Sequence, residues 1–193
     1  MGERKIYILL TDTGTIFTRL IKIYTRKPFN HASISFDSNF TKVYSFGRKR
    51  PNNPFIGGFV KENVRDGLFK HARGAIYSCI VTDKQCEEMI TYINEIENNK
   101  HLYRYNLTGL FLLAMRKEIN RKHAFFCSQF VATVLQKGNV VQFNKHLSFI
   151  TPHDLQKVDI FNLEFQGNLA DFFDDNQLQL TTPKSILNNI DFS

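Results

Sequence analysis

The run His31-Ala-Ser-Ile-Ser-Phe-Asp37 alternates strictly between apolar and polar residues. Successive side chains of an extended chain point to opposite faces. Ala32, Ile34 and Phe36 therefore share one face, and His31, Ser33 and Ser35 share the other. Such a strand sits in an antiparallel sheet, with its apolar face on the core. Asp37 to Phe40 reads as a turn and Lys42 to Gly47 as the returning strand of a hairpin.

The same reading extends along the chain. Lys5 to Leu10 is a short apolar run and predicts a buried first strand. Ile16, Phe17, Leu20, Ile21 and Ile23 recur at helical spacing and predict a helix over 13–24, stopped at Lys27-Pro28. Arg50 to Gly58 contains Pro51, Pro54, Gly57 and Gly58 and predicts a loop, followed by a short strand over 59–64. Ala75 to Val81 predicts another strand. Thr82 and Gln85 form a capping box for a helix reaching about Asn98, with Met89, Ile90, Ile93 and Ile96 inward. Leu107 to Met115 predicts a short apolar helix. Phe125 to Lys137 predicts a helix ended by Gly138-Asn139, and Thr151-Pro152 opens a further short one. The elements of the tail from Phe161 are left open, and the tail is expected to be peripheral. Strands dominate the first half and helices the second, so the expected class is α+β with an antiparallel sheet packed against helices. No linker or repeat divides residues 1–193, and a single domain is expected.

Composition narrows the function classes. The chain has 193 residues and 19 Phe but no Trp, which suggests a core built on Phe. Its net charge of +7 favours anionic partners in general. The basic clusters Arg48-Lys49-Arg50, Arg116-Lys117 and Arg121-Lys122-His123 are short and lack interleaved aromatics. They read as solvated surface, with weak binding to anionic surfaces at most and no specific nucleic acid expected. Three cysteines in a chain of this size suggest free thiols in a reducing compartment. The first apolar run is too short for a signal peptide, and no segment is long enough to span a bilayer. A cytoplasmic location is the expectation.

Phe125-Phe126-Cys127-Ser128-Gln129-Phe130-Val131 is the segment with the clearest chemistry. Cys127 falls in the first turn of a helix that Phe130, Val131, Val134 and Leu135 would bury. The open amides and positive dipole end of such a helix favour thiolate over thiol. They can also hold an oxyanion forming on a substrate carbonyl. Cys79 and Cys86 have core surroundings and read as small buried hydrophobes. Among six histidines, His31 is the best base, because a rigid strand fixes it on the polar face. His123 is a local alternative, and His71, His101, His146 and His153 fall in loops or near caps. Neither a C-x-x-C nor an H-x-x-x-H pair is present, so neither a metal site nor a cofactor is expected.

Asn30-His31-Ala-Ser-Ile-Ser-Phe-Asp37, followed much later by Phe126-Cys127-Ser128-Gln129-Phe130-Val131, resembles the circularly permuted papain-like branch of the NlpC/P60 superfamily. YiiX-type hydrolases belong to that branch, and lecithin–retinol acyltransferase-like proteins are relatives. The resemblance spans roughly His31 to Gly138. It implies a permuted papain-like fold with Cys127 as nucleophile and His31 as base. It also implies a third polar residue, usually on the strand beside the His strand, to orient the imidazole. That strand offers Tyr44 and Ser45 but no carboxylate, and hairpin register decides which of them faces His31. Glu62, on the next strand, is an equal candidate with Ser45. Tyr44 and Ser128 are candidate substrate or oxyanion contacts.

The expected activity is acyl transfer from an amide or ester, that is, from a small amide, a peptide-like amide or a lipid acyl group, through a Cys–His acyl-enzyme. The missing carboxylate keeps a non-catalytic binding module on the same fold as an alternative. A basic nucleic-acid or membrane-surface protein is a third reading; the apolar run Phe55 to Phe59 could then rim the substrate or touch lipid, though a buried loop anchor is the simpler reading of it.

Overall fold

The computed structural model of the chain describes residues 2–14, 26–50, 53–69, 71–105 and 124–174. Along these the elements are β1 (Glu3–Asp12), β2 (His31–Ser35), β3 (Val43–Arg50), β4 (Asn53–Glu62), β5 (Arg73–Thr82), α1 (Asp83–Asn98), β6 (Arg104–Tyr105), β7 (Ala124–Phe125), α2 (Cys127–Lys137), α3 (Pro152–Gln156) and β8 (Asn162–Asn168). Single 3-10 turns occupy Gly67–Phe69 and Leu147–Phe149, and residues 169–174 are helical. The architecture is mixed α+β.

Six strands form one sheet in the order β4-β3-β2-β1-β5-β8, with every neighbouring pair antiparallel. The apolar run of β1 occupies the interior of this sheet. Ile6, Ile8, Leu9 and Leu10 are all fully buried, because one strand face supplies Ile6, Ile8 and Leu10 and the other supplies Leu9. The first face carries the larger core. Ile6, Ile8, Leu10, Ala32, Ile34 and Phe46 pack against Met89, Ile93 and Ile96 of α1 and Phe130, Val131, Val134 and Leu135 of α2. The second face carries Leu9, Val43 and Ile76, covered by Phe40, Val64, Phe69, Ala72, Leu169 and Phe173.

The capping box of α1 forms as the sequence predicts. Thr82 Oγ1 accepts from the Gln85 N–H at 3.2 Å, and Gln85 Oε1 accepts from the Thr82 N–H at 3.0 Å. At α3, Thr151 and Asp154 make the equivalent pair. Gly138 follows α2 with an ordinary negative φ, so conformational freedom does not explain it. A Cβ there would stand 2.5 Å from Met89 Cγ and 2.9 Å from the Gln85 carbonyl oxygen. The residue is glycine because α1 passes too close for a side chain.

Several boundaries differ from the sequence reading. The expected loop over Arg50 to Gly58 is largely strand, and Phe55 to Phe59 lies within β4. The ladder with β3 continues through Gly47↔Gly58, Arg48↔Gly57 and Arg50↔Asn53, with an irregularity between Arg48 and Arg50. Proline and glycine are tolerated there because β4 is an edge strand. Phe125 belongs to β7, which runs parallel to β6, so α2 starts two residues later, at Cys127 itself. Beyond Phe161, β8 adds an edge strand on β5, and Leu169 and Phe173 are buried on the second face. The helices predicted over 13–24 and 107–115 lie outside the described residues, apart from positions 13 and 14. Among the described residues, no helix is long and apolar enough to cross a membrane.

Candidate active site

β2 and β3 pair at Ile34↔Tyr44 and Ser35↔Val43, and this register decides the polar face. Tyr44 stands opposite Ile34 on the larger core. Ser45, one residue on, joins Ser33 and His31 on the other face. Glu62 pairs with Val43, and Val60 pairs with Ser45, so Glu62 also joins that face. Four polar side chains from three strands are thus brought together.

Their contacts are short. His31 Nε2 lies 2.7 Å from Glu62 Oε1. Ser33 Oγ donates to Glu62 Oε2 at 2.5 Å, and Ser45 Oγ donates to Glu62 Oε1 at 2.5 Å. The His31 and Glu62 side chains are only 13% and 8% exposed. The Phe69 ring lies 6.2 Å from the imidazole, centroid to centroid, and helps to cover the pair. With Nε2 engaged by Glu62, Nδ1 is the ring nitrogen left for Cys127, which lies close enough to the imidazole for each group to favour the other's charged form.

Cys127 reaches His31 through the geometry of α2. Phe126, the residue before the helix, has no side-chain acceptor with which to cap it. The first intrahelical bond of this turn runs from the Phe130 N–H to the Phe126 carbonyl at 2.9 Å. The amides of Cys127, Ser128 and Gln129 precede it and have no intrahelical acceptor. The backbone amides of Ser128 and of Ala32 in β2 are near enough to the Cys127 sulfur to favour its thiolate. Helix and strand thus meet at the sulfur, which lies in a residue only 6% exposed.

The electrostatics follow from this packing. Burial opposes the thiolate of Cys127, but the His31 charge, its hydrogen bond and the Ala32 and Ser128 amides outweigh burial and hold the thiol below its ordinary value of 9.0. Burial likewise opposes the imidazolium of His31, yet Glu62 and Cys127 together hold it well above 6.5. For Glu62, burial is outweighed by His31 and by the two serine hydroxyls, so its carboxyl lies below 4.5. The three groups favour a thiolate–imidazolium pair beside a carboxylate. Cys79 shows the contrast, because burial without a cationic neighbour pushes it up to about 11.

The remaining sequence candidates fall elsewhere. Tyr44 is directed away from His31, and its ring stacks on Phe59 at 6.0 Å. Strand alternation excludes it as a contact of the imidazole. The Ser128 hydroxyl donates to the Ile150 carbonyl at 2.7 Å and is buried, which leaves Ser128 only its backbone amide for the site. Cys86 is buried beside Met89 in the larger core. His71, His101 and His146 are exposed and His153 is half-buried, while His123 lies outside the described residues. Ser33 was not singled out from the sequence as a site residue. Its place beside His31 on the polar face of an alternating strand was the signal that could have found it. Among the described residues, no three His, Cys, Asp or Glu side chains are grouped to hold a metal ion.

Comparison with protein-family models, with curated proteins and with solved structures gives no match to this chain.

Proposed function

We propose that the chain is a thiol hydrolase or acyltransferase of the permuted papain-like type, acting on an amide or ester. The observation that carries this reading is the chain of contacts Cys127–His31–Glu62. It joins a thiol at a helix start, a strand imidazole and a buried carboxylate. A nucleophile, its base and a group that orients the base are the parts acyl transfer needs. Glu62 supplies the carboxylate that the strand beside His31 lacks, which removes the main argument for a non-catalytic binding module.

The steps follow from these roles. The Cys127 thiolate attacks the substrate carbonyl carbon, forming a C–S bond and an oxyanion. Open amides of the first turn of α2 stabilise that charge. Collapse of the intermediate breaks the bond to the leaving group, which takes a proton from the His31 imidazolium. Neutral His31 then takes a proton from water or another acceptor as its oxygen attacks the thioester. The C–S bond breaks, and the thiolate–imidazolium pair is restored. Glu62 keeps the ring in one orientation and stabilises its charge throughout.

Alkylation with iodoacetamide near neutral pH tests the premise. Cys127 is expected to react well before Cys79 and Cys86, and His31→Ala is expected to slow it about a hundredfold or more, because a buried thiol without the imidazolium holds far less thiolate at neutral pH. Equal, slow labelling of the three thiols would favour a binding module.

A further inference from the structure

Among the described residues, two buried side-chain oxygens have no hydrogen-bond partner, Thr11 Oγ1 and Asn30 Oδ1. Both adjoin His31. Thr11 pairs with His31 across the β1–β2 ladder, and Asn30 immediately precedes it. A buried acceptor left unpaired costs more than a made bond returns, so two such atoms at one strand end call for an explanation.

Asn30 is the more informative of the two because it is held firmly. Its backbone N–H donates to the Thr11 carbonyl at 3.0 Å, and its Nδ2 donates to Asp12 Oδ1 at 2.8 Å. The second bond fixes the amide, since the flipped orientation would set two oxygens against each other. Oδ1 is therefore the free end, on a residue only 9% exposed. Alternation continued from β2 puts Asn30 on the side of Ala32, the face that α2 covers. It stands two residues before Ala32, whose backbone amide is near enough to the Cys127 sulfur to favour its thiolate.

We infer that Asn30 Oδ1 is a substrate contact that accepts an N–H carried on the reacting carbonyl, so the site takes amides with a free N–H in preference to esters. This rests on the acyl-transfer reading above and narrows its substrate class. The physical basis is the unmade bond. A substrate N–H completes it, whereas an ester of the same shape turns an oxygen lone pair toward a buried oxygen. A site built around such an acceptor discriminates strongly against an analogue lacking the donor.

A pair of alkylating probes tests this on the full chain. N-methylchloroacetamide and methyl chloroacetate have nearly the same shape, and the N–H of one is replaced by oxygen in the other. Their rates with Cys127 are each divided by their rates with free glutathione, which removes intrinsic reactivity. The expected corrected preference for the amide is about tenfold or more, falling to near one in Asn30→Ala. The wild-type measurement stands on its own if that variant does not fold. An activated Cys127 that shows no preference overturns the role of Asn30 alone, as does a preference that persists in Asn30→Ala. A Cys127 no faster than Cys79 and Cys86 with either probe overturns the acyl-transfer reading on which the inference rests.

Discussion

At Glu62 one carboxylate accepts from Ser33 and Ser45 and meets the His31 ring. Its side chain is 8% exposed, so water screens these contacts little. The carboxylate gains enough from its partners to stay ionised, and that charge holds the imidazolium on the other side. Glu62→Gln keeps the shape and removes the charge. The consequences have definite signs. His31 loses a stabilising anion, so its pKa falls and the high-pH limb of the rate profile moves down. Cys127 then faces less positive charge, so its pKa rises and the low-pH limb moves up. The active window narrows from both sides, and the alkylation rate at neutral pH is expected to drop about tenfold or more. Rates of Cys127 alkylation measured across pH check the low-pH limb, since alkylation needs only the thiolate, and an NMR titration of the His31 ring checks the fall in its pKa. A profile identical to wild type would show that Glu62 does not act on the pair. The sequence named Cys127, His31 and Glu62, because helix starts, alternation and residue type are local signals. It did not separate Glu62 from Ser45 as the orienting group, because that depends on pairing between strands. Both turn out to be present, with Ser45 bonded to the carboxylate rather than replacing it.

At the level of elements, the strands and helices with strong periodic patterns were legible, and the boundaries decided by tertiary contact were not. The capping box of α1 and the opening of α3 at Thr151-Pro152 depend on residues close in sequence and could be read directly. β4 could not, because its glycines and Pro54 speak for a loop until β3 is there to pair with them. The start of α2 was missed for a similar reason, since Phe125 fits a helix until β6 takes it into a ladder. Gly138 extends the same lesson to packing. It looks like a helix terminator, but the residue with positive φ is Asn139, at 51°. Gly138 instead lets the end of α2 approach α1. Gly138→Ala would bring a methyl group against Met89 and the Gln85 carbonyl, and backbone yields less readily than a side chain. The expected loss is about 1–3 kcal/mol, seen as a lower midpoint in urea with little change in slope. An unchanged midpoint would mean that the two helices separate at no cost.

Over the whole molecule, the sheet divides two kinds of environment. One face is a large apolar core against α1 and α2. The other mixes a smaller apolar cluster with the polar group of His31, Ser33, Ser45 and Glu62. That second face depends on chain from beyond β8. Leu169 is fully buried there, its N–H donates to the Ala72 carbonyl at 3.0 Å, and it leaves so little room at Gly74 that a Cβ there would meet Leu169 Cδ2 at 2.9 Å. Phe69, which covers His31, belongs to the same cluster. The tail therefore supports the layer that keeps water from the Glu62–His31 pair. Leu169→Ala should cost about 2–5 kcal/mol of stability. It should also loosen the cover over Phe69, because cavities in close-packed clusters are shared among neighbours. Water reaching the pair would weaken the charge coupling that depresses the Cys127 pKa, so the alkylation profile should shift toward higher pH even where the protein is still folded. Comparing the thermal midpoint with the pH of half-maximal alkylation separates the two effects. A lower midpoint with an unmoved profile would mean that Leu169 serves stability alone, and that the site is insulated from the tail.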